Sequence, residues 1–290
     1  RQAPIKRQQA EDYATMLARG VPGRTTSELL RRWDDAAAFD PADFWTHIQR
    51  ARLAQTLGEL LRSRRAADAA VGAARADWER GLAQEALGDI AVLQGDLAAA
   101  QQAFEAYLST YRRLVAADPD QSWIRANLSV SLNRVGDVAV RRGDLAGAAA
   151  AYGESLELAR ALAAADPTSA EARRDVSISL AKLASNGFGA RWADVVGLMD
   201  DMTARGQLSP ADERVLPRYR LRARWEAESA APVALQAAPA TSIAADGAER
   251  TLALPERQSF VRLSPVGGLE RGVVARVSVE AGRRYRIDVV

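Results

Sequence analysis

Histidine occurs once, at His47, and a lone imidazole serves catalysis chiefly as the base for a Ser or Thr nucleophile. No G-x-S-x-G turn presents such a serine. His47 stands beside Trp45 and Ile48 in a helical stretch, so it reads as a structural or surface histidine. Cysteine is absent, which removes disulfides, thiolate zinc sites and a cysteine nucleophile together. An all-carboxylate metal site has no loop pattern to support it. There is no G-x-x-x-x-G-K-[ST] phosphate loop, and neither Gly187/Gly189 nor Gly267-Gly268 falls between a strand and a helix. The acid pairs Asp34-Asp35 and Asp200-Asp201 are adjacent on helices, point in different directions and read as solvated faces. The expectation is a chain without catalytic residues, metal or cofactor.

What remains is surface, and surface must be positioned by a scaffold. The 290 residues suffice for roughly two domains. Hydrophobic residues make up 48% but aromatics only 6%. Alanine fills the difference, which suits closely packed helices. The formal net charge is +2, and Lys occurs only at Lys6 and Lys182, so the basic content is arginine. Arg and acid are interspersed rather than clustered, which argues against nucleic-acid binding. No run approaches the roughly 18 apolar residues of a membrane span, and no signal-peptide pattern appears. A cytoplasmic protein is expected. The chain starts at Arg1 without Met, which reads as a fragment or processed product.

An internal repeat organises the middle, from about Leu82 to Leu180. Leu87-Gly88-Asp89-Ile90-Ala91-Val92 recurs as Val135-Gly136-Asp137-Val138-Ala139-Val140, and Gly95-Asp96-Leu97-Ala98 as Gly143-Asp144-Leu145-Ala146. Phe104 becomes Tyr152, Leu108 becomes Leu156, and Asp118-Pro119 becomes Asp166-Pro167. Ser129-Val130-Ser131-Leu132 becomes Ser177-Ile178-Ser179-Leu180, all at one offset of 48 residues without a gap. Each unit reads as two helices. Ile124, Leu128, Leu132, Val135 and Val138 fall at spacings of three and four, the mark of one buried face. Gly143 can take a left-handed cap, Asp144 can cap the helix from Leu145 to Ala165, and Asp166-Pro167 stops it.

The spacing of small residue, alanine and aromatic in Gly88, Ala100, Phe104 and in Gly136, Ala148, Tyr152 resembles that of tetratricopeptide (TPR) repeats. The period is longer than the usual ~34 residues, so longer helices are expected, as in large bacterial signalling proteins. Two worn units flank the clear pair. Upstream, Leu57-Gly58-Glu59 stands in for the motif, with helices over Phe44 to Leu61 and Ala66 to Arg75. Downstream, Asp175 to Ser185 is interrupted by Asn186-Gly187-Phe188-Gly189, followed by helices over Arg191 to Arg205 and Pro210 to about Ala227. Worn terminal units suit the ends of a solenoid.

The resemblance implies a concave groove lined by the first helix of each unit. Carried over by spacing, its residues are Gln55, Glu59 and Arg62; Glu85, Asp89 and Val92; and Asn133, Asp137 and Val140. TPR domains that clamp a terminal carboxylate have Lys, Arg and Asn at comparable places. Glu59, Asp89 and Asp137 would repel such a ligand, and an acidic stripe favours a basic segment. The competing reading pairs Asp89 and Asp137 with Arg125 and Arg173 of neighbouring units.

The ends differ. Residues 1–39 read as a helical cap, with helices around Gln8 to Arg19 and Ser27 to Ala38, broken at Val21-Pro22-Gly23, the second capped by Ser27. Residues 40–228 form the repeat array, and 229–250 an Ala/Pro linker. In 251–290 the period switches to two around Phe260–Leu263, Val273–Val279 and Tyr285–Val289, which predicts strands and a hairpin or partial β-sandwich. The fold expected is thus mainly α, a solenoid of TPR-like hairpins with a short C-terminal β segment. The function expected is a non-catalytic scaffold whose groove holds a protein or peptide partner, a basic segment or another domain of the same polypeptide. Homo-oligomerisation is compatible with it. The alternative is the regulatory or sensor region of a bacterial signalling or defence effector, with a caspase-like, TIR or NTPase domain elsewhere.

Overall fold

The computed structural model describes residues 2–230 and four short strand pieces between 242 and 276. Contacts divide the chain into two units, Arg1–Asp212 and Glu213–Val290. In the first, antiparallel helical hairpins follow one another: α1 (Ala3–Ala18) with α2 (Thr26–Phe39), α3 (Phe44–Thr56) with α4 (Leu60–Ala73), and α5 (Asp77–Gln94) with α6 (Leu97–Ala117). Then come α7 (Ser122–Arg142) with α8 (Leu145–Ala165), and α9 (Ala170–Ser185) with α10 (Trp192–Ala204). Each second helix also packs on the next first helix, while α3 touches α5 and α7 touches α9 directly. The first helices therefore lie side by side, as the TPR resemblance implies.

Local chemistry makes the hairpins. Gly95 and Gly143 take left-handed φ of 78° and 82° at the ends of α5 and α7. The amides of Asp96 and Asp144 then bond back to Ala91 O and Ala139 O, both at 2.9 Å, closing Schellman-type caps. The carboxylates of Asp96 and Asp144 accept from Ala99 N and Gly147 N, each at 2.9 Å, and so cap α6 and α8. Asp and Gly thus stop one helix and start the next within three residues.

Packing explains the longer-range motif. A Cβ placed on Gly136 would lie 2.5 Å from Tyr152 Cε1, and one on Gly88 would collide with the Phe104 ring. The aromatic ring of the second helix packs directly against a glycine of the first. Beside it, Ser129, Ser155 and Ser179 form a hydroxyl ladder joining α7, α8 and α9, with Oγ–Oγ distances of 2.8 and 3.0 Å. Asn133 Nδ2 donates to Ser179 Oγ at 3.2 Å. These groups are buried, and bonding them to one another removes the cost of desolvating hydroxyls. At the N-terminal ends of the first helices, Trp78 contacts Trp45, Phe44 and Trp123 through ring centroids 5.9–6.3 Å apart, continuing the core from one unit to the next.

Residues 3–39 form a hairpin packed on α3. Two expectations are corrected. Thr25, not Ser27, caps α2, its Oγ1 accepting from Glu28 N. The second is one of register: α3 ends at Thr56 because Gly58 takes φ +75°. Gly58 is therefore the counterpart of Gly95 and Gly143, not of the mid-helix Gly88 and Gly136. Aligned on those three turns, Ala51 and Ala67, both buried, replace the glycine–aromatic pairs Gly88–Phe104 and Gly136–Tyr152.

Helix α11 (Pro210–Ala230) carries Pro217 in its interior. Strand β1 (Ser242–Ile243) pairs antiparallel with β2 (Glu249–Arg250), and β3 (Phe260–Arg262) with β4 (Val274–Arg276). The rest of the expected linker and C-terminal β segment, including the turn at Ala281-Gly282 and the strand over Tyr285–Val289, lies outside the described residues.

Candidate functional site

Between α3 and α5 lies a cleft of about 220 Å³ lined by Arg52, Gln55, Glu85, Asp89 and Arg134, with Ala51, Ser63, Leu82, Ala86 and Ile90 as its floor and walls. Its charged residues and Gln55 come from the first helices of three successive units. Arg134 Nη2 reaches back from α7 to Glu85 Oε1 at 3.3 Å and Asp89 Oδ2 at 3.2 Å. One guanidinium nitrogen thus serves two carboxylates, at distances longer than the ~2.7–2.9 Å of a strong charge-assisted bond. Asp89 is taken out of water by the packing, and Glu85 and Asp137 add negative potential. Desolvation, the larger cause, and these neighbours lift its carboxyl to about 6 against the pull of Arg134 and Arg52.

One unit further along, Asp137 is better compensated. Lys182 Nζ on α9 lies 2.6 and 2.8 Å from its two oxygens, and Tyr152 donates its hydroxyl to Asp137 Oδ1 at 2.7 Å. Burial, with Asp137 beside it, pushes the Tyr152 phenol well above its ordinary range. Asp89 and Asp137 therefore do not pair with Arg125 and Arg173, as the competing sequence reading had it. Arg173 pairs with Asp201 instead.

Of the nine groove residues expected, Gln55, Glu85 and Asp89 share this cleft. Glu59 and Arg62 do not, because the positive φ of Gly58 puts them on α4: Glu59 is its N-cap residue, and Arg62 bonds Glu59 and Asp34. Asn133 is buried in the serine ladder. Val92 packs on the core around Phe104 and Val138, and Val140 is partly buried near the end of α7. Arg52 and Arg134 were missed. Arg52 stands six residues before Gly58, as Asp89 and Asp137 stand before Gly95 and Gly143, a signal readable once the turn glycines are aligned.

Residues set aside as non-catalytic have structural partners. His47 is buried on α3, its Nε2 2.8 Å from Pro41 O and its Nδ1 3.1 Å from Arg50 Nη1. Asp34 bridges Arg50 and Arg62, and Asp201 pairs with Arg173 and Arg205, so these two acids are ion-paired rather than merely solvated. Among the described residues, no group of three or more His, Asp and Glu could hold a metal ion. Among the same residues, no helix is long and apolar enough to cross a membrane.

No protein-family model matches the chain, and no curated protein matches it in sequence. Solved structures do resemble it. MamA from Desulfovibrio magneticus RS-1, residues 41 to the end, is 15% identical over 72% of this chain and 98% of its own, with a TM-score of 0.39. PilW, a type IV pilus biogenesis factor, is 16% identical over 77% of this chain and 94% of its own, with a TM-score of 0.40. The TPR2AB domain of yeast Sti1, in complex with pHSP90, is 11% identical over 75% and 99%, with a TM-score of 0.30. The TPR-like features of this chain lie in its own hairpins, where glycine–aromatic pairs and Gly-Asp turns recur at the repeat spacing.

Proposed function

We propose that the chain is a non-catalytic scaffold that holds a segment of a protein partner against the row formed by α3, α5, α7 and α9. The supporting observation is the cleft between α3 and α5, where side chains from three repeat units converge on one small space. A pocket built across units keeps its shape because each unit is fixed by the next: the Trp78 contacts, the serine ladder and the ion pairs from α7 and α9 all cross unit boundaries. A rigid surface loses little conformational entropy on binding, so its contacts are expressed as affinity. The volume suits one long side chain of an extended segment rather than a separate small molecule, whose pockets run to roughly 300–1,000 Å³.

A photo-crosslinking residue at Gln55, inside the cleft, tests this reading against the same residue at Glu105 on the exposed side of α6. Crosslinks from position 55 and none from 105 are expected, and mass spectrometry of the product tells a separate partner from another part of the same polypeptide. Equal labelling from both positions would count against the groove.

A further inference from the structure

We propose that the cleft between α3 and α5 takes a basic side chain of the bound segment between Glu85 and Asp89. The proposal rests on the groove reading above and adds the chemistry of the occupant.

The charge pattern along the first helices carries it. On α7, the half-buried Asp137 meets Lys182 of the next unit, 45 residues later, as Asp89 on α5 meets Arg134. At α5 the pattern is overloaded. Glu85 stands one turn before Asp89, whereas its counterpart on α7 is the neutral Asn133. Two carboxylates therefore share Arg134, through a single nitrogen and at 3.2–3.3 Å. The cation position on α5 itself, equivalent to Arg134 and Lys182, is Ala86. Its missing side chain leaves room in the cleft, since Ala86 is one of its walls.

The groups facing Asp89 are Arg52 from α3, Glu85 on its own helix, and Arg134 and Asp137 from α7. Arg52 is exposed on the rim, and the fixed charges inside are two acids and one guanidinium. A carboxylate of an incoming segment would meet Glu85 and Asp89, and a guanidinium or ammonium would meet unfilled acceptor oxygens in a partly dry site, where such bonds are strong. Because burial raises Asp89 to about 6, a cation that binds it favours the ionised form and drives the proton off. Affinity then falls about tenfold between pH 7 and pH 5 through this group alone.

Arrays of nonapeptide pools with a fixed central Arg, Lys, Gln or Glu and random flanks test the occupant on the full 290-residue chain. Arg and Lys pools should be retained on the order of tenfold above the Gln pool. Glu85→Gln combined with Asp89→Asn should bring them to the Gln level with helicity unchanged by circular dichroism. Arg52→Gln, which removes the rim countercharge, should tighten them. The best Arg peptide, titrated calorimetrically at pH 6 in two buffers of different ionisation enthalpy, should show proton release. Preference for the Glu pool overturns the proposal. Capture without charge preference also overturns it while leaving the groove reading intact, and failure of every pool to bind overturns both.

Discussion

Lys182 reaches Asp137 from one repeat unit further along the chain, its Nζ 2.6 Å from Oδ1 and 2.8 Å from Oδ2. Arg134 holds the same position relative to Asp89, and both pairs are separated by 45 residues. The separation is three residues short of the repeat, so the cation sits about one helical turn earlier on the next first helix. The ion pairs therefore cross between units and help to fix the angle at which they stack.

The Asp137–Lys182 pair is half-buried, with side-chain exposures of 27% and 26%. A double-mutant cycle with Asp137→Asn and Lys182→Met should give a coupling of about 0.5–1 kcal/mol, since such pairs gain modest Coulomb energy after desolvation. In 1 M salt the coupling should shrink. Urea unfolding measures it, and strictly additive single mutants would show that the contact does not join the units.

Two glycines in one hairpin should respond with opposite signs. Gly136→Ala drives a methyl into the Tyr152 ring and should cost about 1–3 kcal/mol through overpacking. Gly153→Ala on α8 meets nothing within 4 Å and should gain roughly 0.5–1 kcal/mol from helix propensity. Denaturant midpoints of the two variants check this. A harmless alanine at 136 would contradict the close approach.

The contribution of Asp89 and Asp175 to stability should rise as pH falls from about 7 toward 4. Asp89 and Asp175 are both raised to about 6, chiefly by desolvation, while the unfolded carboxyl stays near 3.9. Between these values the folded chain binds more protons than the unfolded one, so acid favours folding in this window, and the gain disappears as pH rises through 6. Below it, Asp212 and Asp194, held low by arginine and serine partners against desolvation, act in the opposite direction. Asp89→Asn should remove part of the slope between pH 4 and 6, on the order of 1–2 kcal/mol. A thermal-melt series against pH in which wild type and variant run parallel would contradict the assignment.

The serine ladder predicts a graded response. Ser155 Oγ bonds Ser129 O at 2.9 Å and meets the hydroxyls of Ser129 and Ser179. Ser155→Ala should cost about 1–2 kcal/mol, because it strips partners from buried groups on two other helices. Ser131→Ala, whose hydroxyl bonds only Leu128 O within its own helix, should cost less. Similar melting temperatures for the two would mean that the ladder adds nothing between helices.

The clear hairpins were legible because their stop and start signals are local. Gly143, Asp144 and Asp166-Pro167 place α8 at Leu145–Ala165 from the sequence alone. The worn unit is ambiguous at Leu57-Gly58-Glu59-Leu60, which matches both the mid-helix phrase Leu87-Gly88-Asp89-Ile90 and the turn phrase Gly95-Asp96-Leu97. Only the sign of φ at Gly58 separates them, and that sign moves Glu59 and Arg62 off the groove and brings Arg52 onto it. The partners of Asp89 and Asp137 were hidden for another reason. A contact between units depends on the stacking angle, which no single helix encodes, so Arg134 and Lys182 had no local mark distinguishing them from other surface cations.

Hydrogen exchange on the crosslinked or peptide-bound chain shows most directly where a partner lies. Protection should concentrate on the exposed edges of α3, α5 and α7 around Gln55, Glu85 and Asp89, with α4, α6 and α8 exchanging as in the free chain. Protection confined to α4, α6 and α8, with the cleft residues unchanged, would contradict the groove as the working surface.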